Sequence, residues 1–515
     1  MPYQTIKQFY ERKNIFLTGG TGFVGMCYIE KLLRTVPDIG NIYVLLRPRK
    51  GQGIEERLTA LKNNSVFEVL KNSGVSDIQF TKIVPVCGDI SEEKLGLSDD
   101  DLKTLRDNVN IVVHCAATLD FETDLKTAVH INLIGTKRIV ELCREIQNLQ
   151  CLLHVSSAYT NSNKSHAVEK MYDAPANYND VINYVQTMDN DQLNDTAEKI
   201  MGDHINTYTF SKALAEHVVN DARHDFRTCI VRPSMIVATW KEPVEGWTIS
   251  KNGPQGFIMG AMKGVVRRLP LNGSLIDDYI PVDIVINTII AGAWSSCQLP
   301  DSSYVGQTPI FHCTTSTCNP FYWNDFKSML KTFLYNYPIQ SAVWYPNIKF
   351  LPSLLMYQIS SAIFHFIPGY ILDFVIKISG GRPILIRLHT NVNRSLSKLE
   401  PFIFREWRFD NTKTVILHKE MSVSDQSEFY VDPSNINWKT YLNSLAKGVR
   451  KYLHNEDDKT LKKAQRKQSI LRLANIGVQL LVVFGLWYLS SIITDTSFLS
   501  KYWVAVIVVI FGYIF

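Results

Sequence analysis

The amino-acid sequence predicts an α/β fold in which a parallel sheet is covered by helices on both faces. Short apolar segments typical of buried strands alternate with helical segments through the first half of the chain, and strands joined in this way pair in parallel. A glycine-rich turn follows the first apolar segment and leads directly into a helical pattern. The length of 515 residues and the 46% hydrophobic content allow a large core.

Six strands and three helices are predicted in this part of the chain. The strands are residues 14–18, 42–46, 82–86, 110–114, 151–155 and 228–231, and the helices are residues 23–36, 125–147 and 210–223. Residues 240–270 are rich in Gly, Pro and Trp, which indicates a structured loop region leading into a smaller substrate lobe. Ligands of parallel sheets bind at the carboxyl ends of the strands, so we expect the functional residues there.

The glycine-rich turn carries Gly19, Gly22 and Gly25 at G-x-x-G-x-x-G spacing. Gly19 allows a sharp turn, Gly22 allows backbone N–H groups to approach a pyrophosphate, and Gly25 lets the helix lie close to the strand. The helix N-terminus adds N–H donors and the positive end of a dipole. Glycine triplets also occur in ordinary turns, but here strand, turn and helix follow in order. We therefore predict a dinucleotide site in a doubly wound sheet of the Rossmann type.

The ends of the second and third strands bear on which dinucleotide is bound. Arg47 follows the second strand, where an NAD site usually has an acidic residue, and an arginine suits the 2′-phosphate of NADPH instead. Arg49 and Lys50 are read equally well as a solvated basic turn. Asp89 follows the third strand and can accept a hydrogen bond from the adenine amino group. Its alternative role is to cap the next segment, which Ser91 could do equally well.

The pair Tyr208 and Lys212 predicts reductase chemistry. The i, i+4 spacing places both side chains on one face of a helix. A phenol has a pKa of about 10, and a nearby ammonium lowers it, so that the phenol can exchange a proton with a carbonyl oxygen as a hydride moves. Ser157, with Ser156 as the alternative, ends the fifth strand and could hydrogen-bond the same oxygen.

Composition and charge argue against several other classes of protein. A net charge of +5 over 515 residues gives no reason to expect a nucleic-acid partner. The 9 cysteines are odd in number and scattered, and no C-x-x-C pair occurs. We therefore expect reduced, buried thiols in a protein that faces the cytosol, and neither a disulfide framework nor a metal site.

The C-terminal part predicts membrane attachment. Residues 473–494 are uncharged, apolar and long enough to span a bilayer, and lysines and arginines precede them from residue 459 to residue 472. A buried core helix is the less favoured alternative. The apolar residues 502–515 are too short to cross unaided at ~1.5 Å per residue, which leaves a re-entrant arm, a hairpin partner or a truncated span. Residues 350–378 are interrupted by polar residues and predict helices of a substrate-facing or membrane-contacting lobe more than a clean span.

These motifs resemble the extended short-chain dehydrogenase/reductase family, and further segments narrow the resemblance to the alcohol-forming fatty acyl-CoA reductases. The first resemblance rests on residues 18–25, 88–89, Ser157, Tyr208 and Lys212. The narrower one rests on residues 232–234, 240–243, 246–247, 253–254, 263–264 and 279–287, and on the late block formed by residues 404–411, 429–432 and 438. The resemblance covers nearly the whole chain. Residues 166–202 carry no recognisable motif.

The resemblance implies that a long-chain fatty acyl-CoA is reduced to a fatty alcohol with two NADPH, without a metal or a covalent cysteine. It implies a catalytic set of Ser157, Tyr208 and Lys212. The implied cofactor-binding residues are Gly19, Thr21, Gly22, Phe23, Val24, Gly25, Arg47, Asp89, Ile90, Ala116, Tyr208, Lys212 and Pro233.

The resemblance also divides the chain into regions. We expect an NADPH-binding reductase domain with its substrate lobe at residues 1–300, a connecting region at 301–370, and a helical C-terminal domain at 371–455. The spanning segment at 473–494 would anchor the chain in the membrane of a peroxisome or the endoplasmic reticulum, with the catalytic domain in the cytosol.

Two other functions share some of these features. A membrane-bound reductase of sterols or steroids would have the same cofactor and Tyr/Lys motifs, but would not account for residues 240–256 or the late block. A catalytically idle lipid-binding or scaffold protein would not need Tyr208 and Lys212. Chain-length preference and oligomeric state do not follow from the residues.

Overall fold

A seven-stranded, all-parallel sheet forms the centre of the computed structural model, which describes residues 4–49, 51–74, 76–298 and 307–493. Its strands are β1 (Ile15–Thr18), β2 (Ile42–Leu46), β3 (Ile83–Cys87), β4 (Ile111–His114), β5 (Cys151–Val155), β6 (Thr228–Pro233) and β7 (Ile310–Cys313). In space they are ordered 3-2-1-4-5-6-7. The strand order reverses between β1 and β4, and a crevice opens outside the carboxyl ends of the strands at such a reversal.

All six predicted strands are confirmed, and β7 was missed. It pairs in parallel with β6, with Ile310 beside Ile230 and Cys313 beside Pro233. The strand is only Ile-Phe-His-Cys, and its buried polar ring at His312 interrupts the apolar run that signalled the other strands. The α/β, doubly wound Rossmann-type architecture is as predicted.

Helices cover both faces of the sheet, as expected from the alternating pattern. One face is covered by Phe23–Thr35 and Val282–Gln298, and the other by Asp99–Asn108, Gly135–Glu145 and Thr207–Asp221. The predicted helix 125–147 is present but is divided by a π-helical segment, and its parts are Leu125–Ala128, Val129–Ile134 and Gly135–Glu145.

The remaining helices of the first 336 residues lie around this sheet and in the lobe. They are Ile6–Tyr10, Ile54–Lys62, Glu68–Asn72, Ser76–Thr81, Tyr178–Thr187, Asn190–Met201, Pro254–Met262 and Trp323–Asn336. Four small strand pairs join distant parts of the chain: Met235–Val237 with Tyr279–Pro281, Arg268–Pro270 with Lys349–Leu351, Ile276–Asp277 with Phe321–Tyr322, and His166–Ala167 with Arg408–Phe409.

The C-terminal region is helical, as predicted, and packs directly on the reductase region. Its helices are Leu385–Lys398, Glu400–Phe404, Thr412–Glu420, Val423–Glu428 and Trp438–Gly448. A Cβ on Gly448 would lie 1.7 Å from the carbonyl oxygen of Gly246, so two backbones touch where the lobe meets the last of these helices. Trp407 is buried and donates its indole N–H to the Ser162 carbonyl at 3.0 Å.

Among the described residues, two helices are long and apolar enough to cross a bilayer by length and composition. One runs from Leu354 to Ile378 through a π-helical segment, Ala362–Phe366. The other is the C-terminal helix, Leu461–Ile493, which contains the predicted span except for residue 494. That residue and the predicted terminal segment 502–515 lie outside the described residues, and the domain boundaries stay predictions.

Candidate active site

The glycine turn after β1 forms a cradle that a dinucleotide pyrophosphate fits. Gly19 has φ +75°, and a Cβ on it would lie 2.8 Å from the backbone nitrogen of Ala116, which follows β4. A Cβ on Gly25 would lie 2.4 Å from the Gly19 carbonyl oxygen. Gly22 is the N-cap of the helix Phe23–Thr35 and provides no side-chain cap, so the N–H groups of the first turn are oriented for an anion.

The substrate lobe closes one side of this turn. Phe23 stacks on Trp247 with ring centroids 5.6 Å apart, and Trp247 is fully buried. The Trp247 indole donates to the Ser65 hydroxyl at 2.9 Å. Val24 packs on the same core. The side chains of Phe23 and Val24 therefore pack against other residues of the protein, and only their backbone groups are in a position to bind a cofactor.

Arginines converge at the far end of the turn, beside Thr21. Arg57 donates to the Thr21 hydroxyl at 3.0 Å and also to the Arg47 carbonyl oxygen. Burial, and the charges of Arg49 and Arg47, lower the pKa of the Arg57 guanidinium. Repulsion of this kind is relieved when an anion binds. Sequence reasoning missed Arg57, because it lies one element beyond the strand end and only folding brings it to Thr21.

The Asp89 carboxylate bonds within its own loop and does not cap the 3₁₀ helix that follows, whose N-cap is Glu92. One carboxylate oxygen accepts from the Ser91 backbone N–H at 3.0 Å and from the Ser91 hydroxyl at 2.8 Å, and the other lies 3.4 Å from Arg47 Nη1. Burial would raise the pKa of Asp89, but these hydrogen bonds and the Arg47 charge hold it below its ordinary value. Its neighbour Ile90 is buried in the core below. Pro233 ends β6, one strand beyond Ser157.

Tyr208 and Ser157 are brought together at the carboxyl end of β5. Ser157 follows the strand in extended conformation and caps a 3₁₀ turn, accepting from the Tyr159 N–H at 3.2 Å. The phenol of Tyr208, in the first turn of the helix Thr207–Asp221, lies close enough to the Ser157 side chain for that side chain to affect its pKa. Burial raises the pKa of Tyr208 to about 12, with the Ser157 side chain opposing the rise and the Glu216 charge adding to it. The shift is opposite to the one expected from a neighbouring ammonium, because burial is its largest cause.

Lys212 lies one turn further along the same helix and is buried. Its ammonium donates to the Val155 carbonyl oxygen at 2.7 Å and lies 3.0 Å from His154 Nε2. Burial lowers the pKa of Lys212 to about 8, and Glu216 acts in the opposite direction. The amine is thus held at the end of β5, beside the crevice.

A pair of buried histidines lies behind Lys212, and sequence reasoning missed it. His114 and His154 end neighbouring strands in matching register, with ring centroids 5.3 Å apart. His114 Nδ1 lies 2.7 Å from the Thr18 hydroxyl, which accepts from the Ala116 N–H at 3.2 Å. Burial, followed by the Lys212 charge, lowers the pKa of His114 to about 3, so it is neutral. A signal was available, because a histidine interrupts each of two otherwise apolar strand ends.

Aromatic side chains form the wall on the open side of Tyr208. The Phe121 and Tyr208 ring centroids are 5.6 Å apart, and Phe121 stacks on Phe402 of the C-terminal region at 5.6 Å. Tyr159 meets Phe402 edge-on at 5.1 Å and Trp407 at 5.5 Å. The C-terminal region therefore contacts the candidate site itself. No local motif in the sequence predicted this contact.

Within the described ranges, no group of three or more His, Cys, Asp and Glu side chains is arranged to hold a metal ion. Ser157, Tyr208 and Lys212 bring a hydroxyl, a phenol and an amine to the crevice beside the glycine turn. Such a set can stabilise and protonate an oxyanion that forms when a carbonyl receives a hydride.

Comparison with known proteins agrees with this geometry. A family described as male sterility protein matches residues 17–289, the NAD-binding part, and residues 364–456, the C-terminal part. Fatty acyl-CoA reductase 1 of Rattus norvegicus is 33% identical over 484 residues, which is 94% of this chain and 93% of the rat protein. A Drosophila melanogaster relative named for the same activity is 48% identical over 499 residues, which is 96% of each chain.

Two solved structures have the same fold. The terminal R domain of the myxalamid biosynthetic pathway aligns with TM-score 0.57 and 15% identity over 86% of this chain and 91% of that one. The reductase domain of a non-ribosomal peptide synthetase from Mycobacterium tuberculosis aligns with TM-score 0.54 and 15% identity over 87% and 94%. With its nucleotide cradle, its Ser157/Tyr208/Lys212 cluster and relatives of this identity along almost its entire length, the chain belongs to the fatty acyl-CoA reductase family.

Proposed function

We propose that this protein reduces a long-chain fatty acyl-CoA to a fatty alcohol with NADPH, through an aldehyde that stays bound. The observation that carries the proposal is the meeting of Ser157, Tyr208 and Lys212 beside the glycine cradle, in a chain of this family. The reaction consumes one acyl-CoA, two NADPH and two protons, and yields the alcohol, CoA and two NADP⁺. When bound, the reduced nicotinamide supplies each hydride.

Ser157 and Tyr208 act on the oxygen of the acyl carbonyl. With its pKa raised to about 12, the Tyr208 phenol is protonated at neutral pH and can donate to the oxyanion that develops. The Ser157 hydroxyl, held by the turn after β5, donates to the same oxygen. Collapse of the resulting thiohemiacetal breaks the C–S bond and releases CoA, and Tyr208 serves again when the aldehyde is reduced.

Lys212 is assigned to the ribose and to the electrostatics of the proton donor. Its ammonium, fixed by the Val155 carbonyl and His154, lies one helical turn from Tyr208. A cation there favours the phenolate left after proton transfer. His154 contacts this amine, and burial lowers the pKa of its imidazole well below the ordinary value, so it adds no charge there. The neutral ring of His114 packs beside His154.

NADPH is the proposed dinucleotide because of the arginines at Thr21. Arg47 and Arg57 lie where the second strand and the following helix meet the glycine turn. Their crowded positive charges suit a ribose 2′-phosphate, which NADH lacks. These arginines concern the cofactor and not the substrate. For the substrate, both relatives described above are named for a fatty acyl-CoA, and neither is named for a sterol or a steroid.

We place the acyl chain along the aromatic wall formed by Phe121, Phe402 and Tyr159, next to Tyr208. The apolar C-terminal helix would anchor the chain in an intracellular membrane, of peroxisome or endoplasmic reticulum, with the basic residues before it in the cytosol. A bilayer nearby suits a reaction whose substrate and product are both lipids.

The test is product analysis by mass spectrometry. Membranes that contain the full chain are incubated with NADPH and acyl-CoAs of increasing chain length, and a parallel sample receives a 3-hydroxysteroid with NADP⁺. We expect fatty alcohol in the first sample and no oxidised steroid in the second. Absence of fatty alcohol with every acyl-CoA would overturn the proposal, and steroid oxidation would favour the alternative reductase. An unchanged fatty alcohol yield from Tyr208→Phe would favour the scaffold alternative.

A further inference from the structure

The helix from Leu354 to Ile378 has its polar side turned toward the protein and its apolar side turned outward. Its buried stripe consists mainly of polar or small residues, namely Tyr357, Ser361, Phe364, His365, Gly369 and Asp373. Its outer face consists of large apolar residues, among them Leu355, Ile359, Ile367, Tyr370, Ile371, Phe374 and Ile378, which are between 55% and 71% exposed. A helix on a water-facing surface has the opposite arrangement.

Several side chains of the polar stripe make contacts that hold the helix in this orientation. Asp373 accepts from the backbone N–H groups of Ile384, Leu385 and Ile386 at 2.9–3.0 Å and so caps the helix Leu385–Lys398. His365 stacks on His389 of that helix at 4.8 Å and accepts from the Arg267 N–H at 3.1 Å. Residues 354–398 therefore form a helical hairpin fixed to the body of the protein, which we call the apolar hairpin.

A single crossing of a bilayer by the first helix of the hairpin is excluded by its two ends. Before it, Lys349–Leu351 pairs with the strand Arg268–Pro270. After it, Phe402 stacks on Phe121 beside the candidate active site. Both ends belong to one body, so the chain leaves and returns on the same side. The returning helix, Leu385–Lys398, is not among the segments apolar enough to span.

Charge on the hairpin complements an anionic lipid surface. Residues 354–399 contain a single acidic residue, Asp373, whose carboxylate is used as a cap. Exposed cations border the apolar face, namely Lys377, Arg382, Arg387 and Arg394. Apolar side chains with basic residues beside them are typical of helices that lie in the plane of a membrane interface.

The position of the C-terminal helix places this face near the bilayer. Trp344 donates its indole N–H to Asn475 at 2.9 Å, and Asn475 lies near the start of the apolar run that begins at residue 473. The protein surface around Trp344 is therefore at the level where the anchor enters the membrane. Only nine residues lie between Trp344 and Leu354, and an extended chain covers at most about 3.5 Å per residue.

From these observations we infer that the apolar hairpin lies in the membrane interface, parallel to the bilayer plane, as a second lipid-contacting surface beside the C-terminal anchor. This inference rests on the proposed membrane anchor, because the contact between Trp344 and Asn475 relates the position of the hairpin to the point where the anchor would enter the bilayer. The hairpin leads through Leu399 to Phe402, so the surface in the lipid is continuous in the chain with the aromatic wall at Tyr208.

The test measures lipid contact at single positions in the full chain. An environment-sensitive fluorescent amino acid replaces Ile371 or Phe374, and the protein is reconstituted in vesicles of phosphatidylcholine and phosphatidylserine. Lipids brominated in their acyl chains are the quencher. Leu481, on the anchor, is the positive control. Val423, which is 84% exposed on another helix, is the matched apolar control.

We expect quenching at Ile371 and Phe374 several-fold above that at Val423, and of the same order as at Leu481. Quenching at Leu481 alone would overturn the hairpin inference and leave the anchor intact. Quenching at none of these positions would overturn both. If Phe374 is protected from aqueous iodide but not quenched by brominated lipid, a second protein chain covers the face and the inference is wrong.

Discussion

The two walls of the candidate site are built in different ways. On the sheet side, the glycine cradle and Ser157 each follow a strand, and Tyr208 and Lys212 share one helix, Thr207–Asp221. On the open side, Phe121 comes from the loop after β4 and Phe402 from the C-terminal region, and they meet only in the folded chain. The sheet side is therefore built from short motifs, whereas the aromatic side depends on contacts between distant parts of the chain.

The largest effect should come from removing the proton donor on the sheet side. Tyr208→Phe keeps the ring that packs on Phe121 and deletes only the hydroxyl that Ser157 contacts. We expect kcat to fall by about 10²–10⁴ for both acyl-CoA and aldehyde, with NADPH affinity nearly unchanged. Tyr184→Phe, at an exposed position, is the control and should have no effect. If Tyr208→Phe kept the full kcat, Tyr208 would not be the proton donor.

A second substitution tests cofactor selectivity separately from catalysis. Arg57→Ala removes the guanidinium that donates to Thr21. A lost charged hydrogen bond to phosphate costs about 1.5–3 kcal/mol, so the KM for NADPH should rise about 10- to 100-fold. The KM for NADH should be unchanged. Arg144→Ala, whose partner Asp225 is on the surface, serves as the control. An equal rise with both cofactors would contradict a role at the 2′-phosphate.

The aromatic side should respond in substrate affinity and not in cofactor affinity. Phe402→Leu weakens the stack on Phe121 and the edge contact with Tyr159. We expect a rise of about tenfold in the KM for long-chain acyl-CoA, within the range that a changed apolar pocket produces, and an unchanged KM for NADPH. Phe67→Leu, buried beneath the other part of the sheet, controls for lost stability. If both substitutions raise the acyl-CoA KM equally, the wall has no special role.

The smallest effect is a pH dependence set by Lys212. Burial lowers the pKa of this amine to about 8, so its ammonium is present below that pH and is lost as the pH rises through it. Binding of NADP⁺, followed by tryptophan fluorescence, should therefore weaken about tenfold between pH 7 and pH 9. Lys212→Arg, which stays charged, should bind with the same affinity at both values. If the affinity of the unaltered chain for NADP⁺ does not change with pH, Lys212 has no role in cofactor binding.

Local patterns were sufficient for the sheet and for most of the motif-bearing side. Six strands, the glycine cradle and the Tyr208 helix are where the spacing of residues predicted them, because strand and helix periodicity and glycine conformations are properties of neighbouring residues. The pattern did not extend to β7, whose four residues include a polar ring, or to the π-helical turn within residues 125–145.

The direction in which the pKa of Tyr208 shifts could not be predicted from the sequence either. Tyr-x-x-x-Lys spacing suggests a lowered value, yet the phenol is buried and its pKa is raised to about 12. Likewise, the contacts of Asp89 with Ser91 and Arg47 follow from the geometry of that loop. Desolvation depends on everything packed around a group, which no local motif records.

The sequence by itself determined the class of fold, the nucleotide cradle, the phenol and amine one turn apart, and the family resemblance. The tertiary structure alone decided that Arg57 reaches Thr21 and the Arg47 carbonyl, that His154 contacts Lys212, and that Phe402 stacks on Phe121 beside Tyr208. It also decided that the helix Leu354–Ile378 turns its polar stripe inward. The physical reason is that contacts between residues far apart in the chain depend on how whole elements pack, and not on the order of neighbouring residues.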